Sequence, residues 1–350
     1  MNILITGSSG LIGSEAVIYF DSLDHKIWGI DNNMRRQFFG PKGDTNWNLN
    51  RLRKITTNFQ HINMDVRDRQ GIFELFKQHK FDMVIHCAAQ PSHDKAQEIP
   101  LIDFDINAGG TVNLLEATRQ YSAEAIFILM STNKVYGDTP NKIELIELPT
   151  RWDYALSRDY EGIDENCSLD HSLHSLFGAS KVSADIIAQE YGRYYGMNIG
   201  IFRGGCLVGP SHSGVQLHGF LSYLVKIAVS GEEYTVLGYK GKQVRDQIHS
   251  YDVVQAIEEF SKNPCQGEAF NLGGGRNNSA SIIESIKLIE EIILRKVNWS
   301  YTDLNRRGDH ICYISNVNKF KTLYPNWEIT RTLDSIIKEL IESETINISH

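Results

Sequence analysis

The stretch Gly7-Ser-Ser-Gly10-Leu-Ile-Gly13 constrains the fold of this chain more than any other. It follows an apolar run, residues 2–6, that reads as a buried strand, and it opens an amphipathic segment that reads as a helix to residue 22. Glycine tolerates the tight turn between the two, and the bare positions let an anion approach the first helical amides. A second apolar run, residues 26–31, follows at once. Strands joined through a helix run parallel, because the crossover returns the chain to the same end of the sheet.

The pattern then repeats. Short runs rich in Ile, Val and Phe recur at 59–65, 83–88, 125–131 and 199–203, with amphipathic segments at 69–79, 107–121 and 179–195 between them. This alternation predicts an α/β fold, a doubly wound parallel sheet with helices on both faces. In such a sheet ligands bind beyond the carboxyl ends of the strands, near the point where strand order reverses. Thr6, Asp31, Asp65, Ala88 and Ser131 sit at those ends. From about residue 205 the alternation loosens, beginning with the loop-like Gly209-Pro-Ser-His-Ser-Gly214, and helices are expected near 220–230, 281–294 and 332–343. We expect a nucleotide-binding domain over 1–204 and a smaller, mainly substrate-binding lobe over 205–350, with 245–262 packing back on the first.

Composition narrows the partners. The chain has 350 residues, 41% hydrophobic and 22% charged, with a net charge of −8, as expected of a soluble globular protein rather than one that binds nucleic acid or an anionic membrane. No apolar stretch approaches the roughly 20 residues of a membrane span, and no basic, apolar leader precedes residue 2. Five scattered cysteines without a Cys-x-x-Cys argue against a disulfide framework or a zinc site, and fit a reducing cytoplasm. His212 and His218 lack a carboxylate or cysteine to complete a ligand set, so no metal is expected there.

The glycine turn is suited to a dinucleotide pyrophosphate, with Gly7, Ser9, Gly10, Leu11, Ile12 and Gly13 as its contacts. Asp31 ends the second strand, with Asn32 beside it. A carboxylate there accepts from the adenosine ribose hydroxyls and repels a 2′-phosphate, which favours NAD over NADP. Arg35 and Arg36 follow closely and read either as solvated loop charges or as cations that would soften that preference.

Phe177-Gly-Ala-Ser-Lys181 resembles the Tyr-x-x-x-Lys signature of the short-chain dehydrogenase/reductases, with a phenyl ring where the phenol stands. The glycine spacing resembles that of the extended members of this superfamily, which have a Rossmann-type fold. The likeness continues in Ser131-Thr132-Asn133-Lys134-Val135-Tyr136-Gly137, Ile106-Asn107-Ala-Gly-Gly-Thr-Val-Asn-Leu-Leu-Glu-Ala117, Gly241-Lys-Gln-Val-Arg245-Asp246 and Phe270-Asn-Leu-Gly-Gly274. Over most of its length the chain thus resembles the NAD-dependent epimerase/dehydratase family, and within it the CDP-paratose 2-epimerases, also called CDP-tyvelose epimerases.

The resemblance implies roles. Asp65 and Val66 would bracket the adenine, Ala88, Ala89 and Gln90 would line the cofactor, and Asn107 would start the helix beside it. Taken singly, packing or capping explains each equally well. Thr132 would hold the reacting sugar oxygen, and Lys181 would bind the nicotinamide ribose. The 4,6-dehydratases of the family carry Asp-Glu where this chain has Asn133-Lys134, so the acid and base of that elimination are missing. The implied activity is an epimerase that oxidises a sugar carbon, C2 of a CDP-hexose in the resembled group, and returns the hydride to the opposite face. Arg203, Gly204, Gly205, Gln216, Arg245 and Arg306 would contact a nucleotide-diphosphate sugar, since two guanidiniums from distant segments suit a diphosphate. Segments 107–121 and 179–195 would pair across a homodimer.

Phe177 leaves three explanations open. Another group moves the proton, with Thr132, His171, His174, Tyr154 and Tyr160 as candidates. Alternatively, a tyrosine was replaced to trap a complex, or the protein binds NAD and a sugar nucleotide without turnover.

Overall fold

The computed structural model describes residues 1–212, 214, 219–304 and 309–348. Its largest element is a seven-stranded parallel sheet. The strands are β1 (Asn2–Thr6), β2 (Lys26–Ile30), β3 (Phe59–Ile62), β4 (Met83–His86), β5 (Ile126–Thr132), β6 (Ile199–Gly204) and β7 (Gln266–Leu272), in the spatial order β7-β6-β5-β4-β1-β2-β3. Every residue of β4 and β6 is buried, as expected for strands covered on both faces. Six of the seven strands match the apolar runs read from the sequence. The seventh, β7, lies at the sheet edge and comes from the loosely patterned second half of the chain.

Order reverses between β1 and β4. The carboxyl ends of these two strands, Thr6 and His86, are direct partners in the ladder, so the glycine turn opens at the switch point. The helices that matter to the site are α1 (Leu11–Ser22), α2 (His93–Glu98), α3 (Gly110–Tyr121) and α4 (Ser175–Tyr195). The segment expected to begin at Asn107 starts earlier. Pro100 opens a helix to Phe104, a π-helical turn follows over Asp105–Gly109, and α3 continues from Gly110. Proline is well placed in a first helical turn, and a π-turn is a common device for redirecting a side chain. Asn107 therefore lies inside the helix rather than capping it.

The chain forms two compact units. The first comprises Met1–Val135, Leu176–Arg203 and Val253–Phe270; the second comprises Tyr136–Ser175, Gly204–Asp252 and Asn271–His350. The first is built on the large sheet. In the second, a four-stranded sheet runs through Val244–His249, with Cys206–Val208, Ser279–Ser281 and Cys312–Tyr313 paired to it. Helices Phe220–Ser230, Ile282–Ile293 and Leu333–Ile348 share a core of Leu224, Val225, Ile286, Ile289 and Ile337. Residues 136–175 belong to this unit and carry the hairpin Leu145–Glu147/Trp152–Tyr154.

Candidate active site

The glycine turn is closed by backbone. Gly7 has φ +67°, and a Cβ there would lie 2.8 Å from the amide nitrogen of Ala88. A Cβ on Gly13 would fall 2.1 Å from the Gly7 carbonyl oxygen, so α1 can approach the turn only with glycine at this position. The Gly7 amide donates to Ile30 O at 2.7 Å and the Gly10 amide to Gly7 O at 3.0 Å. Gly10 is the N-cap of α1 and offers no side chain, so no side-chain oxygen caps the first turn, Leu11, Ile12 and Gly13. Ser9 Oγ, on the residue before the N-cap, is buried without a hydrogen-bond partner among the described residues.

Asp31 stands over this turn. Its carboxylate accepts from the Ser9 amide at 2.9 Å and from the Asn33 amide at 2.8 Å. Asn32 donates to Asp65 at 2.9 Å, and Asp65 is clasped by Arg67 through Nε at 2.9 Å and Nη2 at 2.7 Å. Val66 is 5% exposed, and its carbonyl accepts from Asn113. Ala88 donates its amide to Thr6 Oγ1, and both it and Ala89 are half-buried.

At the end of β5, Thr132 Oγ1 accepts from the Lys134 amide at 3.2 Å and donates to Asn133 Oδ1 at 3.4 Å. Lys181 on α4 is 4% exposed, and its Nζ donates to the Met130 carbonyl at 2.9 Å. Burial pushes its ammonium down to about 8, against the pull of Asp185, Cys87 and Asp103. Met130 O is the one hydrogen-bond acceptor it meets among the described residues, so two of its three N–H groups remain for a ligand.

A buried polar network ties the loop after β4 to α4. Gln90 donates to Asp103 Oδ1 at 2.7 Å and to Ser92 O at 2.8 Å, and accepts from the Ser92 amide at 2.8 Å. Asn107 Oδ1 accepts from the Gln90 amide at 2.9 Å, and Asn107 Nδ2 lies within 3.1 Å of Gln90 O, Asp103 Oδ1 and Ser180 Oγ. Ser180 Oγ donates to Asp103 Oδ2 at 2.6 Å. The network seats His93, the first residue of α2, against Phe177 with ring centroids 5.0 Å apart at 62°. Sequence reading passed over His93, Asp103 and Ser180. The signal available was a titratable side chain a few residues beyond a strand's carboxyl end.

The expected substrate contacts have other engagements. Arg203 is 4% exposed and turned into the seam between β6 and α4, where Nε and Nη2 meet Asp185 at 3.0 and 2.8 Å. Arg245 donates to Val244 O, Asp309 Oδ1 and His310 O at 2.6, 2.5 and 2.5 Å. A Cβ on Gly204 would press on Leu207, and one on Gly205 would lie 3.0 Å from Asp246 Oδ1. Gln216 and Arg306 lie outside the described residues.

Of the candidate proton carriers, Tyr154 is buried with its hydroxyl near Cys312 O and the Ile314 amide, and burial pushes its phenol well up. Tyr160 lies under the Arg276 guanidinium at 4.2 Å. His171 is exposed, and His174 Nε2 is 2.7 Å from Leu169 O.

These residues fit a dinucleotide. The uncapped helix end and the unpartnered Ser9 hydroxyl suit a pyrophosphate, Asp31 a ribose diol, and the spare N–H groups of Lys181 a second ribose.

Known proteins agree. The model of the NAD dependent epimerase/dehydratase family matches residues 3–273. CDP-paratose 2-epimerase of Salmonella typhi is 33% identical over 329 residues, 91% of this chain and 92% of that protein. The fold matches UDP-glucose 4-epimerase of Thermotoga maritima, solved with UDP-glucose, at a TM-score of 0.79 and 24% identity over 99% of this chain and 100% of that one. It also matches a Tyr→Phe variant of UDP-glucuronic acid 4-epimerase from Bacillus cereus, solved with NAD and a fluorinated UDP-sugar, at a TM-score of 0.79 and 22% identity, with 99% and 100% covered. NAD is the cofactor of this chain. On the family match and the identity over nine-tenths of its length, the chain belongs to the NAD dependent epimerase/dehydratase family.

Proposed function

We propose that this protein is a nucleotide-sugar epimerase that oxidises a sugar carbon to the ketone and reduces it again on the opposite face, at C2 of a CDP-linked hexose. NAD, held by the residues below, would supply the acceptor and donor of the hydride at that carbon. The chain's own residues do the rest. Gly7, Gly10 and the α1 amides hold the pyrophosphate, and Asp31 the adenosine ribose. Lys181 orients the second ribose and sets a positive charge near the reacting oxygen. Thr132, partly exposed at the end of β5, hydrogen-bonds that oxygen.

The observation that carries the reading is Asn133. It follows Thr132, is 5% exposed, and lies 3.4 Å from the threonine hydroxyl. An amide neither gives nor takes a proton near neutral pH, so removal of a hydroxyl by elimination lacks its acid here. Oxidation and return at a single carbon needs no such acid. The identity to a CDP-paratose 2-epimerase supports C2 and the CDP group. Binding of the diphosphate by Arg245 requires phosphate to replace Asp309 as its partner. Contacts from Arg306, Gln216, Arg203, Gly204 and Gly205 stay part of the proposal, as does a homodimer.

The test incubates the NAD-loaded protein with CDP-, UDP-, GDP- and dTDP-sugars and follows each by proton NMR. The reading expects CDP-paratose to convert to its C2 epimer. Tight NAD binding without turnover across the panel would instead favour a silent binding protein, the reading that Phe177 supports.

A further inference from the structure

We propose that the imidazole of His93 moves the substrate proton in this site, in place of a phenol at position 177. The inference rests on the epimerase reading above.

The chemistry needs a group that takes a hydroxyl proton as the C–H bond breaks and returns it when the C–H bond re-forms. Phe177 has no such atom, and an aliphatic hydroxyl such as Thr132 is a poor base without activation. His93 is the imidazole in ring contact with Phe177, at 5.0 Å and 62°. Phe177 is 6% exposed whereas His93 is half-buried, so of the two rings the imidazole is the more accessible. Both rings sit on elements of the same compact unit.

The contact is held from below. Ser180, three residues after Phe177 on α4, bonds Asp103 and Asn107; both bond Gln90; and Gln90 bonds the main chain of Ser92 on both sides. Ser92 Oγ accepts from the Lys95 amide at 3.3 Å and so starts α2 at His93. Every link from α4 to the Ser92 main chain is thus a buried hydrogen bond, which holds the backbone before His93 better than a surface loop can. The helix that presents Phe177 to His93, α4, carries Lys181, Asp185, Glu190 and Arg193; Asp103 lies in the Gln90 network; Asp94, Lys95 and Glu98 lie on its own helix.

The step balances. The unprotonated ring nitrogen takes the hydroxyl proton and becomes part of an imidazolium. The O–H and C–H bonds break, C=O forms, and the hydride leaves for the nicotinamide. In the return step the hydride re-forms C–H on the other face, and the imidazolium gives its proton to the oxygen. Nothing is consumed.

The experiment compares the NAD-loaded wild type, His93→Gln and His93→Gln/Phe177→Tyr with CDP-paratose as the probe. His93→Gln should lower the epimerisation rate by about 10²–10⁴-fold, the usual worth of a positioned acid–base group, while NAD affinity stays within a few-fold. Adding Phe177→Tyr should recover at least tenfold, because a phenol re-enters beside Lys181. The wild-type rate should fall on the acid side with an apparent pKa in the imidazole range, and that limb should be absent from the double variant. NMR of the ¹³C-labelled imidazole of His93 in the NAD-bound wild type gives a readout independent of turnover and of how the variants fold. Its titration should coincide with the kinetic limb. If the wild type epimerises and His93→Gln matches it, or if the His93 resonance does not titrate with the rate, the proposal is overturned and the epimerase reading stands. If the wild type converts no sugar nucleotide, both fall.

Discussion

His86, at the carboxyl end of β4, shows how one side chain ties the cofactor turn to the helix behind it. The Ala88 amide donates to Thr6 Oγ1, which lies 2.7 Å from His86 Nδ1. His86 Nε2 lies 3.1 Å from Thr111 Oγ1, which donates to Asn107 O at 2.6 Å. With the Thr111 hydroxyl proton committed to Asn107 O, Thr111 Oγ1 can only accept from the imidazole, which assigns the neutral ring its hydrogen on Nε2 and leaves Nδ1 to accept from Thr6. Burial, aided by the charge of Lys181, pushes its pKa down to about 3 from an unfolded value of 6.5. Between those values the unfolded chain binds the proton and the folded chain refuses it. The stabilisation is therefore complete above pH 6.5 and is lost as pH falls toward 3. His86→Gln should cost about 1–3 kcal/mol at pH 7 through its broken bonds. Urea unfolding at pH 7 and pH 5 should show the gap to wild type narrowing at the lower pH. A gap that widens with acid would refute the assignment.

Among the elements, the strand–turn–helix at the start of the chain was the most legible. Alternating apolar runs and three glycines specify β1, the turn and α1 without help from distant residues, and the structure follows them to within a residue. Gly13 carries the tightest demand. Gly13→Ala should push α1 off Gly7, weaken NAD binding by tenfold or more by calorimetry, and lower the melting temperature. An alanine variant with wild-type affinity would show that the turn can yield. What stayed illegible in the sequence depends on tertiary pairing. Residues 266–272 lie in a loosely patterned region, and only the ladder makes them a sheet strand. The π-turn at Asp105–Gly109 has no sequence signature separate from the helix around it. The contact of His93 with Phe177 joins residues 84 positions apart, and the Gln90–Asp103–Ser180 network that seats it is invisible to spacing. The pairing of Arg203 with Asp185 was likewise hidden, because the two lie on different elements.

For the whole molecule, the proposed homodimer would bear on apolar side chains left outside. Leu101 is 79% exposed and Phe104 51%, and on α4 Leu176 and Ile186 are 48% and 42% exposed. Single exposed apolar residues are ordinary, but several on two helices cost solubility unless covered. With the proposed homodimer pairing segments 107–121 and 179–195, light scattering at micromolar concentration should give twice the chain mass, and Ile186→Glu on α4 should give the monomer. A wild-type monomer at that concentration would remove the assembly from the account. The central claim, however, is that one carbon loses a hydride and receives the same one back. The most direct measurement uses CDP-paratose deuterated at C2, turned over by the NAD-loaded protein in ordinary water. The account predicts a C2 epimer that keeps its deuterium at C2 through many turnovers. Progressive replacement of that deuterium by solvent hydrogen would contradict it.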